Sequence, residues 1–136
     1  MKNVLVLCTG NSCRSIIAEA QINAFLEGIN AQSSGVKASG RVNPHAQALL
    51  EAKGVWRETY HSKVLEEVQE SPFDLIVTVC DHANETCPMF PKPVPRLHIS
   101  FEDPDGKGAE AFETTYTEIK ERLLPAVVDF FNNQKS

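Results

Sequence analysis

Short blocks of branched apolar residues alternate along this chain with longer stretches whose apolar positions recur every three or four residues. Residues 3–7 (Asn-Val-Leu-Val-Leu) have the pattern of a strand buried on both faces. Residues 14–26 carry Ile17, Ala18, Ala20, Ile22, Phe25 and Leu26, a helical distribution closed by Gly28. Residues 31–36 suggest a second strand, although Ser33 and Ser34 weaken the pattern. Pro44 opens a helix over 44–52 with Ala46, Leu49 and Leu50 on its apolar side. Residues 62–70 read as a short helix ended by Ser71-Pro72. Residues 73–79 (Phe-Asp-Leu-Ile-Val-Thr-Val) are the clearest buried strand, and 95–101 alternate Leu97, Ile99 and Phe101 as another. From Gly108 a long helix runs through Phe112, Tyr116, Ile119, Leu123, Val127 and Phe130, with Pro125 expected to kink or divide it after Leu124.

Strands alternating with helices predict an α/β domain with a parallel sheet and right-handed crossovers. Ligands in such sheets bind beyond the carboxyl ends of the strands. Three of the four predicted strands run there into reactive groups: Leu7 into Cys8, Val79 into Cys80, and Phe101 into Glu102-Asp103.

Composition narrows the class. The 136 residues are 42% hydrophobic and 23% charged, near globular averages and enough for one core without staples. No apolar run reaches the roughly 20 residues of a membrane span, and Val4-Leu5-Val6-Leu7 is too short for a signal-peptide core and lacks a small-residue cleavage pattern. A cytoplasmic protein is the expectation. The net charge of −5, with no basic cluster, argues against nucleic acid. An anionic substrate would have to be held by local dipoles and a placed cation against that global field.

The four cysteines stand at 8, 13, 80 and 87. In a reducing compartment they point to metal binding or catalysis before structural disulfides. Cys80, Asp81, His82 and Cys87 could be taken for zinc ligands, but their spacing matches no common structural zinc pattern.

Residues 8–15, Cys-Thr-Gly-Asn-Ser-Cys-Arg-Ser, join a buried strand to a helix N-terminus. The backbone N–H groups of Thr9, Gly10, Asn11, Ser12, Cys13, Arg14 and Ser15 can form a nest for an anion, reinforced by the helix dipole. Gly10 can take positive φ at no steric cost, and Asn11 tolerates the left-handed region better than most residues. Arg14 supplies a planar fork that fits two oxygens of a phosphate or arsenate. The same field lowers the pKa of Cys8, into the ~3.5–7.5 range of thiols at cationic or helix-N-terminal sites. The Ser15 hydroxyl could donate to the resulting thiolate. The competing reading is an inert buried cysteine beside a polar turn. A nucleotide P-loop is disfavoured, because the Gly-Lys-Ser/Thr ending is absent.

This octapeptide resembles the signature of low-molecular-weight protein tyrosine phosphatases and of the arsenate reductases built on the same fold. The resemblance runs the length of the chain, with Asp103-Pro104 matching the family's late Asp-Pro. It implies one domain over residues 1–136 and a four-stranded parallel sheet flanked by helices, in the flavodoxin-like order 2-1-3-4. It also implies Cys8 as nucleophile, Arg14 as anion clamp and Asp103 as proton donor or acceptor.

The segment Cys80-Asp-His-Ala-Asn-Glu-Thr-Cys87 separates the two activities. A phosphatase needs one cysteine, an arginine and an acid, whereas reducing arsenate to arsenite takes two electrons, which a thiol pair supplies on becoming a disulfide. Spacing and sequence are similar to those of the thioredoxin-coupled arsenate reductases. That resemblance implies a cascade in which Cys8 attacks arsenate, Cys80 attacks Cys8, and Cys87 attacks Cys80. Thioredoxin would then reduce Cys80–Cys87, and no bound cofactor would be needed. Phosphate or sulfate would compete as oxyanions, and a monomer without nucleic-acid or membrane partners is expected. If residues 80–87 were helical, the cysteine Cα atoms would stand ~10 Å apart, against the roughly 4.4–6.8 Å a disulfide needs. The segment is therefore expected to rearrange on oxidation and to expose the pair.

Other residues read more plainly. Cys13 is a packing residue or a bystander to Cys8; His45, His61 and His98 are surface or strand histidines; Glu102 is solvated. In some reductases of this kind, residues matching Asn11, Glu19 and a serine near 33 resemble ligands of a potassium ion. Here Lys63 lies near where a further ligand would fall, so no bound metal is expected. The alternatives are a phosphatase whose extra cysteines sense oxidants, and a phosphate or arsenite sensor without turnover.

Overall fold

The computed structural model describes residues 2–8, 10, 13–35, 40–68, 72–80, 94–104 and 106–133. Strand β1 (Lys2–Cys8) is followed by helix α1 (Arg14–Phe25), strand β2 (Ile29–Gly35) and helix α2 (Pro44–Ala52). Strands β3 (Leu75–Thr78) and β4 (Arg96–His98) come next. Helix α3 (Ala109–Glu118), a π-turn (Ile119–Leu123) and helix α4 (Leu124–Asn133) complete the described elements. The four strands form one parallel sheet in the order β2-β1-β3-β4, as expected.

β1 is central, and its Val4, Leu5, Val6 and Leu7 have no solvent exposure, which is why their run lacks polar alternation. Helix α1 buries eight consecutive residues, Ser15 to Ile22, so its amphipathic signal is weak while its packing is complete. Three of those residues are polar, and burial without partners would be costly. Glu19 accepts from Ser33, and Gln21 Nε2 donates to the Tyr116 carbonyl at 2.9 Å, while the Gln21 Oε1 is buried without a partner. Ser33, one of the two serines that obscured β2, is thus an interior group facing a polar helix position, and Ser34 is buried beside it. Asn43 caps α2 by accepting from the His45 N–H at 2.8 Å, with Pro44 in the first turn.

Two expectations change. The helix predicted over 62–70 is a single 3-10 turn, Leu65–Glu67, and residues 69–71 lie outside the described set. The residues before that turn are drawn into tertiary pairing instead. The Gly35 N–H donates to the Lys63 carbonyl at 3.0 Å, and Val64 bridges Gly35 in parallel. Pro125 does not divide the long helix after Leu124 but distorts the turn that precedes it. Without an N–H it leaves one carbonyl unclaimed, and the chain adapts one residue earlier, where the Leu124 N–H reaches back to Ile119 in a π-turn.

Register fixes what meets at the carboxyl edge of the sheet. Cys8 stands opposite Gly35, Leu7 opposite Thr78, and Thr78 opposite His98. Pairing continues past the named strands: the Val79 N–H donates to Leu7 at 3.0 Å, and the Phe101 N–H to Val79 at 3.2 Å. Cys8, Cys80 and the 101–103 segment therefore leave three adjacent strands at one edge.

Candidate functional site

β1 carries its pattern through Cys8, so the thiol is the last side chain of a rigid element and is almost fully buried. Cys80, just beyond β3, is buried as well. Cys13 is buried at the N-cap of α1, where it contributes no side-chain cap. Cys8, Cys13 and Cys80 are thiols, not joined in disulfides. Ser15, in the first turn of α1, has no solvent exposure.

Arg14 opens α1 and reaches across the edge to the end of the fourth strand. Its Nη1 donates to the Phe101 carbonyl at 2.9 Å, and its Nη2 lies 3.7 Å from Asp103 Oδ2. Its Nε is buried with no hydrogen-bond partner. A buried, charged donor without an acceptor is costly, and the deficit is relieved if an anion supplies the oxygen. Tying Nη1 to a carbonyl leaves Nε and Nη2 along one side of the guanidinium, a two-donor edge suited to two oxygens of a tetrahedral anion. Asp103 is about half exposed, near enough to this edge to exchange a proton with a bound oxygen yet open to water.

The segment bearing Asp103 is anchored on both sides. The Phe101 ring is buried beneath the Arg122 guanidinium at 4.8 Å, and Arg122 Nη1 donates to the Ser100 carbonyl at 3.3 Å. Glu102 is exposed and paired with Lys107, which holds its carboxyl below the usual range. His98 places Nδ1 2.8 Å from the Thr78 hydroxyl, and exposed His61 lies 3.4 Å from Glu67.

Behind the loop, Glu19 forms a buried polar cluster. It accepts from the Ser33 hydroxyl at 2.7 Å, and the Lys63 ammonium stands 4.0 Å away, itself buried and donating to the His61 carbonyl at 3.3 Å. Burial raises the Glu19 pKa, and the Lys63 charge and Ser33 hydrogen bond oppose the rise. The positive charge at Glu19 is thus a side chain of the protein. Among the described residues no group of three or more His, Cys, Asp or Glu is placed to hold a metal.

Thr9, Asn11, Ser12 and Cys87 lie outside the described residues, as do Asp81 and His82 and the rest of the segment after Cys80 that is expected to rearrange on oxidation. The described members of the predicted site, Cys8, Gly10, Cys13, Arg14, Ser15, Cys80 and Asp103, fall at one sheet edge. Sequence reasoning missed Ser62, whose hydroxyl donates to the Gly10 carbonyl at 3.1 Å, and the Phe101 carbonyl that orients Arg14. Phe101 was marked only by its inward strand position, and nothing local marks Ser62.

The family model for low molecular weight phosphotyrosine protein phosphatase matches residues 3–129. The chain belongs to this family. Within it, an arsenate reductase from Bacillus cereus (strain G9842) is 39% identical over 123 residues, 90% of this chain and 91% of that protein. The crystal structure of an arsenate reductase from Archaeoglobus fulgidus superposes with a TM-score of 0.79 at 34% identity, covering 91% of this chain and 98% of the other. A low molecular weight protein tyrosine phosphatase from T. tengcongensis superposes with a TM-score of 0.78 at 25% identity, covering 95% of this chain and 99% of the other. Backbone similarity to the two kinds of family member is nearly equal, so activity has to be argued from side chains.

Proposed function

We propose that this family member reduces arsenate to arsenite with three of its own thiols and is regenerated by thioredoxin. The observation that carries the reading is Cys80, a buried thiol leaving the strand beside the one that ends on Cys8. Leu7 and Thr78 are opposite one another, so Cys80 is staggered from Cys8 by one residue across neighbouring strands. Both thiols thus leave neighbouring strands at the same carboxyl edge of the sheet. Hydrolysis of a phosphoester has no use for that thiol; a two-electron reduction does.

In this reading the anion binds with two oxygens on the Nε–Nη2 edge of Arg14 and with the backbone N–H groups of residues 9–15. The Cys8 thiolate attacks arsenic, and an oxygen leaves as water with a proton from Asp103. Ser15, buried beside the loop, is assigned to stabilise the thiolate. Cys80 sulfur then attacks Cys8 sulfur. The S–As electron pair passes to arsenic, releasing As(III) as arsenite and leaving Cys8–Cys80 oxidised. Cys87 attacks Cys80, returns Cys8 as thiolate, and leaves Cys80–Cys87 for the dithiol of thioredoxin. Phosphate and sulfate share the tetrahedral shape and compete for the same site. No bound cofactor takes part. A reducing cytoplasm and a monomeric enzyme fit this chemistry, and among the described residues no helix is long and apolar enough to cross a membrane.

The second reading, a phosphatase whose extra thiols sense oxidants, is favoured by the family model's name and by the T. tengcongensis structure. Disulfide mapping decides between them. Reduced protein is treated with arsenate, its thiols are trapped, and peptides are sequenced by mass spectrometry. Cys80–Cys87 is expected in wild type and Cys8–Cys80 in Cys87→Ser. Arsenite release with neither disulfide formed would overturn the cascade, and phosphoester turnover without arsenate reduction would select the phosphatase.

A further inference from the structure

We infer that Ser62 is a positioning residue for the oxyanion loop, an inference that rests on the reading of residues 8–15 as the anion site. Its hydroxyl sits at a junction of three separate segments. It donates to the Gly10 carbonyl at 3.1 Å and accepts from the Gly40 N–H at 3.2 Å, and the residue is buried. A hydroxyl is the smallest side-chain group able to do both at once.

The orientation matters because the loop binds its anion through N–H groups. A trans peptide points its N–H opposite to its C=O. A carbonyl held on Ser62 therefore fixes the direction of the N–H that follows Gly10, and keeps a repulsive carbonyl oxygen from turning toward the anion. Concave nests need their carbonyls satisfied on the outside in this manner. Gly10 has no Cβ to lock its own conformation, so the restraint has to come from elsewhere.

Ser62 can supply it because its own backbone is braced. The next residue, Lys63, accepts from the Gly35 N–H at 3.0 Å, and Val64 continues the pairing at the end of β2. The Lys63 side chain turns to Glu19 of α1, the helix that carries Arg14. Consecutive residues 62 and 63 thus tie the loop after β1, the end of β2 and helix α1 into one unit. The arrangement places Ser62 outside direct contact with the reacting atoms while making the loop's N–H array depend on it.

The test uses the full chain, reduced, with inorganic phosphate as the probe. Phosphate affinity is measured by calorimetry, and the pH dependence of Cys8 alkylation by iodoacetamide is followed by peptide-resolved mass spectrometry. Ser62→Ala is expected to weaken phosphate binding about 3- to 10-fold, the range for one lost hydrogen bond. It should also move the Cys8 alkylation inflection to higher pH, since fewer N–H dipoles face the thiolate. Ser62→Thr, which keeps the hydroxyl, should stay within about twofold of wild type on the same scale. Ser62→Cys, nearly isosteric with a weak donor, should fall between them in phosphate affinity and serves if the alanine variant fails to fold. A serine that only supports the fold would lower the melting temperature and leave phosphate affinity and the inflection where they were; that result overturns the inference. Wild-type protein that binds no phosphate would instead remove the oxyanion-site reading itself.

Discussion

Arg14→Lys keeps the positive charge at the mouth of the site and removes only the fork, so it isolates what the guanidinium geometry contributes. In the native structure Nη1 is committed to the Phe101 carbonyl at 2.9 Å, and the buried Nε has no protein partner. An ammonium offers no rigid pair of donors and cannot hold that carbonyl while also presenting two parallel bonds to an anion. The anion should lose one charge-assisted hydrogen bond, worth about 1.5–3 kcal/mol, or about 10- to 150-fold in affinity. If the lysine turns to the anion, the Phe101 carbonyl loses its donor. That costs about 1–3 kcal/mol of folding stability, survivable within the ~5–15 kcal/mol typical of a domain. Phosphate affinity by calorimetry, arsenate kcat/KM from thioredoxin-coupled NADPH oxidation, and urea unfolding read the three consequences separately. Phosphate affinity and kcat/KM both within about threefold of wild type would show that the charge alone suffices, and would refute the two-donor edge inferred from the orphaned Nε.

Two further outcomes follow from the same geometry. Asp103→Asn retains a polar group near Arg14 and removes the exchangeable acid, so kcat for arsenate should fall about 10²–10⁴-fold while phosphate affinity holds; unchanged single-turnover rates would remove Asp103 from the chemistry. Glu19 has its pKa raised by burial, so the native state binds its proton more tightly than the unfolded chain, and stability should decline as pH rises from 4.5 through the raised native value. Glu19→Gln should flatten that decline in urea midpoints, and a wild-type advantage that grows with pH would contradict the assignment.

How much of this was legible depends on the range over which each feature is determined. β1 and β3 are buried on both faces, and an apolar run states that directly: residues 3–7 fall within the observed Lys2–Cys8, and 73–79 enclose Leu75–Thr78. Pro44 and Asn43 act within one turn, and α2 has the predicted bounds. The π-turn was harder to foresee, because Pro125 dictates only that one hydrogen bond be lost, and packing of Ile119 and Leu123 into the core decides how the helix absorbs the loss. The 62–70 segment misled because its composition permits a helix while Gly35, far away in sequence, takes its backbone for pairing.

The site divides along the same line. Cys8, Arg14 and Ser15 are neighbours in sequence, and the loop that holds them has chemistry any reader of residues 8–15 can state. Asp103 and Cys80 were placed at the same edge by topology, since a parallel sheet delivers every strand's carboxyl end to one side. Ser62 and Phe101 were not legible, and the reason is common to both. Each acts on the loop through a contact made by or to a backbone carbonyl, Gly10 with Ser62 across 52 positions and Phe101 with Arg14 across 87. Carbonyls occur at every residue and so carry no sequence signal. The reactive side chains of an oxyanion site can therefore be read from its motif, whereas the groups that aim them are identifiable only once the chain is folded. Aim is also what the two kinds of family member would have to share, since both need a thiolate and an anion in line. The thiols that distinguish them can then change from one protein to another without disturbing that aim. On this view Ser62 and Phe101 serve the attack of Cys8 on either substrate, and Cys80 and Cys87 decide only what happens after it.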